Sequence, residues 1–189
     1  TLKVKTYLEV YRTDQGTNTI GDIEIITLPG DTGKHLALSD MDLSVTGIAQ
    51  FEESYIFMSN GKLTFQSALS FSNSSSLNMS NGGELILQEG GTFDNSNVDF
   101  NDSVFKPTGA VSVTNGGFNL HGTSSVVLQG DTTFSQSGDI YWPGLDLNGN
   151  SLTFGGEGAN ITIVEALNIA NGESLISGSS RVHFDNTLV

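Results

Sequence analysis

The sequence predicts an all-β protein: a right-handed parallel β-helix with three short strands per turn of about 21 residues and a β cap at its N-terminus. Three observations predict it. Apolar-x-apolar triplets recur along the chain, which is the period of a strand with one buried face. From Leu36 onward the triplets fall into three columns, each recurring at about 21 residues. Sharp corners separate them, at Asn60-Gly61, Asn81-Gly82, Asn115-Gly116, Asn148-Gly149 and Asn171-Gly172, where Gly and Asn accept the positive φ a corner needs. Asn-Gly also signals hairpins, so an antiparallel β-sandwich is the alternative. It requires pairing between sequence neighbours, whereas a fixed recurrence follows directly from stacking each turn on the one before.

Composition agrees and excludes several function classes. The 189 residues include 23 Gly, no Cys and only 15% charged residues, with a net charge of -14. Nucleic acid and anionic membrane surfaces are poor partners for such a chain, because phosphate binding needs Lys and Arg. No run of about 18 apolar residues is present to span a bilayer as a helix. Without Cys there is neither a disulfide scaffold nor a thiolate metal site.

Residues 1–35 break the rhythm. Leu2, Val4, Thr6, Leu8 and Val10 alternate with polar or aromatic residues as one longer strand, and Ile20 to Leu28 reads as a second. Asp14-Gln15-Gly16 and Pro29-Gly30 read as turns, and Lys3, Lys5, Arg12, Lys34 and Lys62 gather the basic charge here or just after. A solenoid end is an open sheet edge, so this segment is expected to cap it.

The β-helix proper is expected over 36–189. The first column begins its triplets at Leu36, Tyr55, Leu77, Val98, Phe118, Ile140, Ile161 and Val182. The second begins at Ala49, Leu69, Gly91, Val111, Thr132, Leu152 and Leu175, and the third at Leu43, Leu63, Leu85, Val104, Val126, Leu145 and Leu167, restarting at Leu188. The outer residues of each triplet should point inward. That places Phe51, Phe71, Phe93, Phe134 and Phe154 in an interior aromatic ladder, with Phe57, Met79, Phe100 and Trp142 beside it. The chain stops in the third column with no capping sequence, so it is expected to be the N-terminal portion of a longer protein.

Function, if it lies on the strands, lies on the outward middle residues. The first column offers Asn78, Asp99, Asn119, Tyr141, Thr162 and His183, a polar face suited to sugars; Asn119, Tyr141, Thr162 and His183 are the candidate ligand-binding set. The second offers a hydroxyl stripe, Ser70, Thr92, Ser112, Thr133 and Thr153, which suits β propensity and solubility. In the third, Ile86, Phe105 and Val127 would form an exposed apolar contact stripe, or be covered by a loop or a change of register near Lys106-Pro107.

Catalytic signatures are poor. His35, His121 and His183 have no metal-ligand spacing, and no nucleophile elbow or P-loop occurs. Pectate-lyase-type sites need Arg and Lys beside acidic calcium ligands, and beyond Lys62 only Lys106 and Arg181 remain. Leu120-His121-Gly122 is one fragment of a polygalacturonase-type site without the rest. Paired carboxylates for glycoside hydrolysis, such as Asp131 with Asp139, arise easily in so acidic a chain. Asp94, Asp99 and Asp102 are a weak calcium candidate, because Asp94 to Asp102 concentrates oxygen ligands without an EF-hand Gly and Glu. No other cofactor is expected.

The stretch from Leu145 to Phe154, with Asn160 to Ile163 and Leu167 to Leu175, resembles the passenger regions of bacterial autotransporters and filamentous-haemagglutinin-like adhesins in its aliphatic triplets and Asn-Gly corners. The resemblance covers about residues 36–189 and rests on style, not on a motif. It implies a bacterial cell-surface or secreted protein, extracellular and adhesive: a rigid rod whose partners are glycans or proteins of another cell surface. Two other functions remain open: a structural rod in a fibre or biofilm matrix, self-associating through solenoid ends, and a fragment of a phage tailspike or polysaccharide-degrading enzyme.

Overall fold

The computed structural model describes residues 2–3, 7–11, 17–21, 23–25, 34–136, 138–156, 159–165, 167 and 169–186. Among them there is no helix, and the strands pair in parallel, each with the strand one turn before or after it. The fold is the expected right-handed parallel β-helix. The antiparallel alternative does not occur.

Each column forms a sheet. The second sheet is unbroken, nine described strands from Leu2–Lys3 to Ser174–Ile176. The third has seven, from Thr17–Ile20 to Gly144–Asp146. The first has six, from Tyr7–Tyr11 to Gly117–His121. Its column then continues as a separate sheet of three, Ile140–Trp142, Asn160–Ile163 and Arg181–Phe184.

The N-terminal segment departs from the expected cap of two longer strands. Its described strands extend the same three sheets in parallel: Leu2–Lys3 and Ile23–Ile25 the second, Tyr7–Tyr11 the first, Thr17–Ile20 the third. The next turn presents a row of unpaired N–H and C=O groups, and pairing with them satisfies the backbone. Val4, Thr6, Arg12, both expected turns, Asn168 and Leu188-Val189 lie outside the described residues.

The interior is one apolar column. Phe51 and Phe71 stack at 4.6 Å, and Phe71 meets Phe93 at 5.6 Å. Phe118 and Trp142, from the first sheet, then bridge Phe93 to Phe134 and Phe134 to Phe154 at 5.1–6.1 Å. All of these are buried, each burial being worth roughly 2–3 kcal/mol. The second sheet slips by two residues at one step, so that Val111 faces Phe134 and Val113 faces buried Gln136. Because the side-chain period is two, the slip keeps every inward residue inward. It does break the hydroxyl stripe, since Ser112 now faces Ser135 instead of Thr133.

The corners repeat small residues in register. Ser54, Ser75 and Ser96 are buried, and the Ser54 N–H donates to Ser75 Oγ at 3.2 Å. Gly116 takes the next position, where a Cβ would lie 1.9 Å from the Ser96 carbonyl oxygen. At the Asn-Gly corners, Asn60, Asn81, Asn115 and Asn148 adopt positive φ. Asn81-Gly82 and Asn148-Gly149 have positive φ at both residues, the hairpin combination, yet they turn the chain between parallel sheets.

Two registers differ from expectation by one residue, and each difference turns side chains over. In the first sheet Leu36 faces Ile56 and Leu38 faces Met58, so Ile56 and Met58 are buried while Tyr55 and Phe57 point out. In the third sheet Leu85 faces Phe105 and Phe105 faces Val126. Phe105 is therefore 0% exposed and packs against Phe100 and Phe118. The expected stripe of Ile86, Phe105 and Val127 does not exist. Lys106 occupies the outward place between half-buried Ile86 and Val127. Its ammonium lies 2.7 Å from Glu84 Oε1, and Lys62 reaches the other oxygen at 3.4 Å. Burial works to raise the Glu84 carboxyl, but the hydrogen bond and charge of Lys106, with the charge of Lys62, outweigh it and hold it below the usual range.

Candidate functional site

The break in the first sheet is where its outward face stops being flat. Gly117–His121 ends the six-stranded sheet and Ile140–Trp142 begins the three-stranded one. The two strands approach within 8 Å but form no ladder. Between them opens a cleft of about 420 Å³. Asn119, His121 and Gly122 line one wall, Asp139, Tyr141 and Pro143 the other, and Val164 and Glu165 close it from the next turn.

Local sequence explains the opening. Trp142, the largest buried side chain here, sits in the column place that Leu120 holds one turn earlier, so a bulkier group must be packed at this level. Pro143 follows it and has no N–H to offer a ladder. Gln136, just before, is buried opposite Val113, and its amide donates to the Asp139 carbonyl oxygen at 3.3 Å. The Gln136 Oε1 and Trp142 Nε1 atoms are both buried without a hydrogen-bond partner among the described residues.

The cleft is polar and acidic around an aromatic ring. Tyr141 is 55% exposed, and its ladder partner on the next turn is only Thr162. The Asn119 amide donates to Asp99 Oδ1 at 2.9 Å, and His121 Nε2 lies 3.9 Å from the same oxygen. Asp139 Oδ1 accepts from the backbone N–H and the side-chain amide of Asn160, at 3.2 and 2.9 Å. No Lys or Arg is among the lining residues.

Asn119 and Tyr141 thus meet at one cleft. Thr162 and His183 continue the same column beside Tyr141, in register, but do not line it. His183 Nε2 is 3.1 Å from Asp185 Oδ1. Among the calcium candidates, Asp94 ends a second-sheet strand, Asp99 is mid-strand in the first sheet, and Asp102 follows it. Each accepts from the turn above: Asp94 from Asn115, Asp99 from Asn119, Asp102 from the Thr123 N–H and hydroxyl. Those two bonds hold the Asp102 carboxyl below its usual range. Among the described residues no group of three or more metal-ligating side chains converges. Sequence reasoning missed His121, Asp139 and Glu165 as companions of Tyr141, because a sheet break leaves no mark in a triplet count.

The chain matches no protein-family model, no curated protein and no solved structure.

Proposed function

We propose that the protein is a non-catalytic binding module, an adhesin of the bacterial surface or secreted type, which contacts glycans through the outward face of its first sheet. The observation that carries this reading is the cleft itself. An exposed aromatic ring beside an amide, an imidazole and carboxylates, on a rigid ladder, offers what a sugar needs: a surface for its C–H face and partners for its hydroxyls. The rigid scaffold supports it, since pre-ordered side chains lose little entropy on binding. Glycan-array screening followed by calorimetry tests it. A saccharide should bind, and Tyr141→Ala and Asn119→Ala should each weaken binding at least tenfold in a folded protein. Equal binding by these variants, or no binding to any glycan, overturns it.

One observation favours a second reading, a polysaccharide-cleaving site. Asp139 and Glu165 share the cleft, and two carboxylates are the minimum for glycoside hydrolysis. Released reducing ends that vanish in Glu165→Gln would establish it; a bound, uncut glycan supports the adhesin.

A further inference from the structure

The same face carries a second aromatic feature, on the second and third strands from the other end of the six-stranded sheet. The His35 ring stacks on Tyr55 at 4.9 Å and 14°, and lies 6.1 Å and 4° from Phe57. Tyr55 is 38% and Phe57 42% exposed. The His35–Tyr55 separation is close to the strand spacing of about 4.8 Å, so these two rings stack along the solenoid axis. His35 therefore covers one face of Tyr55. The opposite face looks over its next ladder partner, Ser76, which is too short to cover it, and Phe57 looks in the same way over Asn78.

From there the floor is short and polar. Ser76 leads in register to Asn97 and Gly117, and Asn78 to Asp99 and Asn119. Three strand spacings, roughly 14 Å, separate the Tyr55 strand from the Asn119 strand. Beyond it the cleft opens and Tyr141 stands on its far side. Two aromatic walls thus bound one polar trough.

We propose that this trough is a single extended site for an oligosaccharide of neutral or amino sugars, with Tyr55 and Phe57 stacking on one end of the chain and Tyr141 on the other. The inference rests on the glycan reading above and specifies its ligand. The trough bears Asp99 on its floor and Asp139 and Glu165 at the cleft, with no Lys or Arg lining the cleft and a net charge of -14 overall, so uronates and sulfated sugars are repelled. A second copy of this chain is a poor occupant for the same reason of charge. The exposed parts of three rings also fall far short of the roughly 800 Å² per partner of a stable protein interface.

The test is calorimetry on the full chain with glucose, glucosamine and galacturonate oligomers of one to six units. Affinity for the first two series should rise with length to about four units and then level, and galacturonate should not bind. Tyr55→Ala with Phe57→Ser should weaken the tetramer about tenfold, and the tetramer more than the disaccharide. Ser76→Tyr, which extends the ring stack over the open face, should do the same without removing any ring. Tetramer binding that is lost with Tyr141→Ala but unmoved by the Tyr55, Phe57 and Ser76 variants overturns the trough and leaves the cleft reading intact. Preference for galacturonate overturns the ligand class. Failure of every glycan to bind the unaltered chain defeats both readings. Self-association abolished by Phe57→Ser overturns the inference in favour of a second copy.

Discussion

The second sheet runs unbroken through the molecule, and the first sheet, built from the same turns, divides in two. Both meet the same irregularity between Gly117 and Trp142. The second sheet absorbs it by sliding two residues, which keeps its parity and its hydrogen bonds. The first sheet receives instead a bulky indole below and a proline beside it, and its ladder opens. A solenoid can therefore take a local misfit either as a slip, which leaves no surface trace, or as a break, which makes a cleft. The candidate site sits where the second outcome happened.

Phe71→Ala, in the continuous stack, should destabilise by about 3–5 kcal/mol in urea unfolding. Trp142→Ala should cost less despite the larger side chain, because it also removes a buried N–H that has no partner, a relief of about 1–3 kcal/mol. An equal or larger loss at Trp142 would show that the break is not a point of strain.

Register gives the next contrast. Phe105→Ser should cost about 3–4 kcal/mol, while Phe57→Ser should stay within about 0.5 kcal/mol by the same measurement. The reverse order would restore the apolar stripe that the third column seemed to offer.

Gln136→Leu should sharpen the picture of the slip. It removes a buried acceptor without a partner from an inward position, so the urea midpoint should rise, by about 1 kcal/mol of stability. A loss of that size would mean that the bond to Asp139 holds the break in place.

The smallest expected effect is on acid stability. The Glu84 carboxyl is depressed in the folded chain, so its contribution is present above the unfolded carboxylate value and is lost as pH falls through the lower folded value. Lys106→Met should flatten that part of the acid limb, with a change of under about 1 kcal/mol at neutral pH. Thermal midpoints taken between pH 7 and pH 3 would show whether it does.

The two registers that differ from expectation carry a signal in the sequence beyond the apolar triplets. A serine stands two residues before the inward start at these registers and their neighbours: Ser54 before Ile56, Ser75 before Leu77, Ser96 before Val98, and in the third column Ser103 before Phe105 and Ser124 before Val126. The buried hydroxyls bond across turns, as Ser103 N–H to Ser124 Oγ at 3.1 Å, so they fix where a strand begins. Hydrophobicity alone reads both triplets with the wrong parity: Tyr55-Ile-Phe57 because its two aromatic residues look like core, and Val104-Phe-Lys106 because the apolar Val104 looks like the start of the strand. The break left no such trace: 22 residues separate Phe118 from Ile140, but 22 also separate Leu69 from Gly91, where the ladder is intact.

Periodicity by itself determined the architecture, the three columns, the interior phenylalanines and the outward row of Asn119, Tyr141, Thr162 and His183. A two-residue alternation repeated at a fixed length has one economical solution, which is stacking. Only the tertiary structure decided the facing of Tyr55, Phe57 and Phe105, the pairing of the N-terminal strands with the same sheets, and the gathering of His121, Asp139 and Glu165 around Tyr141. Those depend on which atoms of one turn meet the next: a serine hydroxyl at a corner, an indole where the turn before has a leucine, a proline without an N–H. Contacts of that kind act across turns about 21 residues apart: the corner serines mark the two registers in the sequence, but no local pattern in the chain records the break.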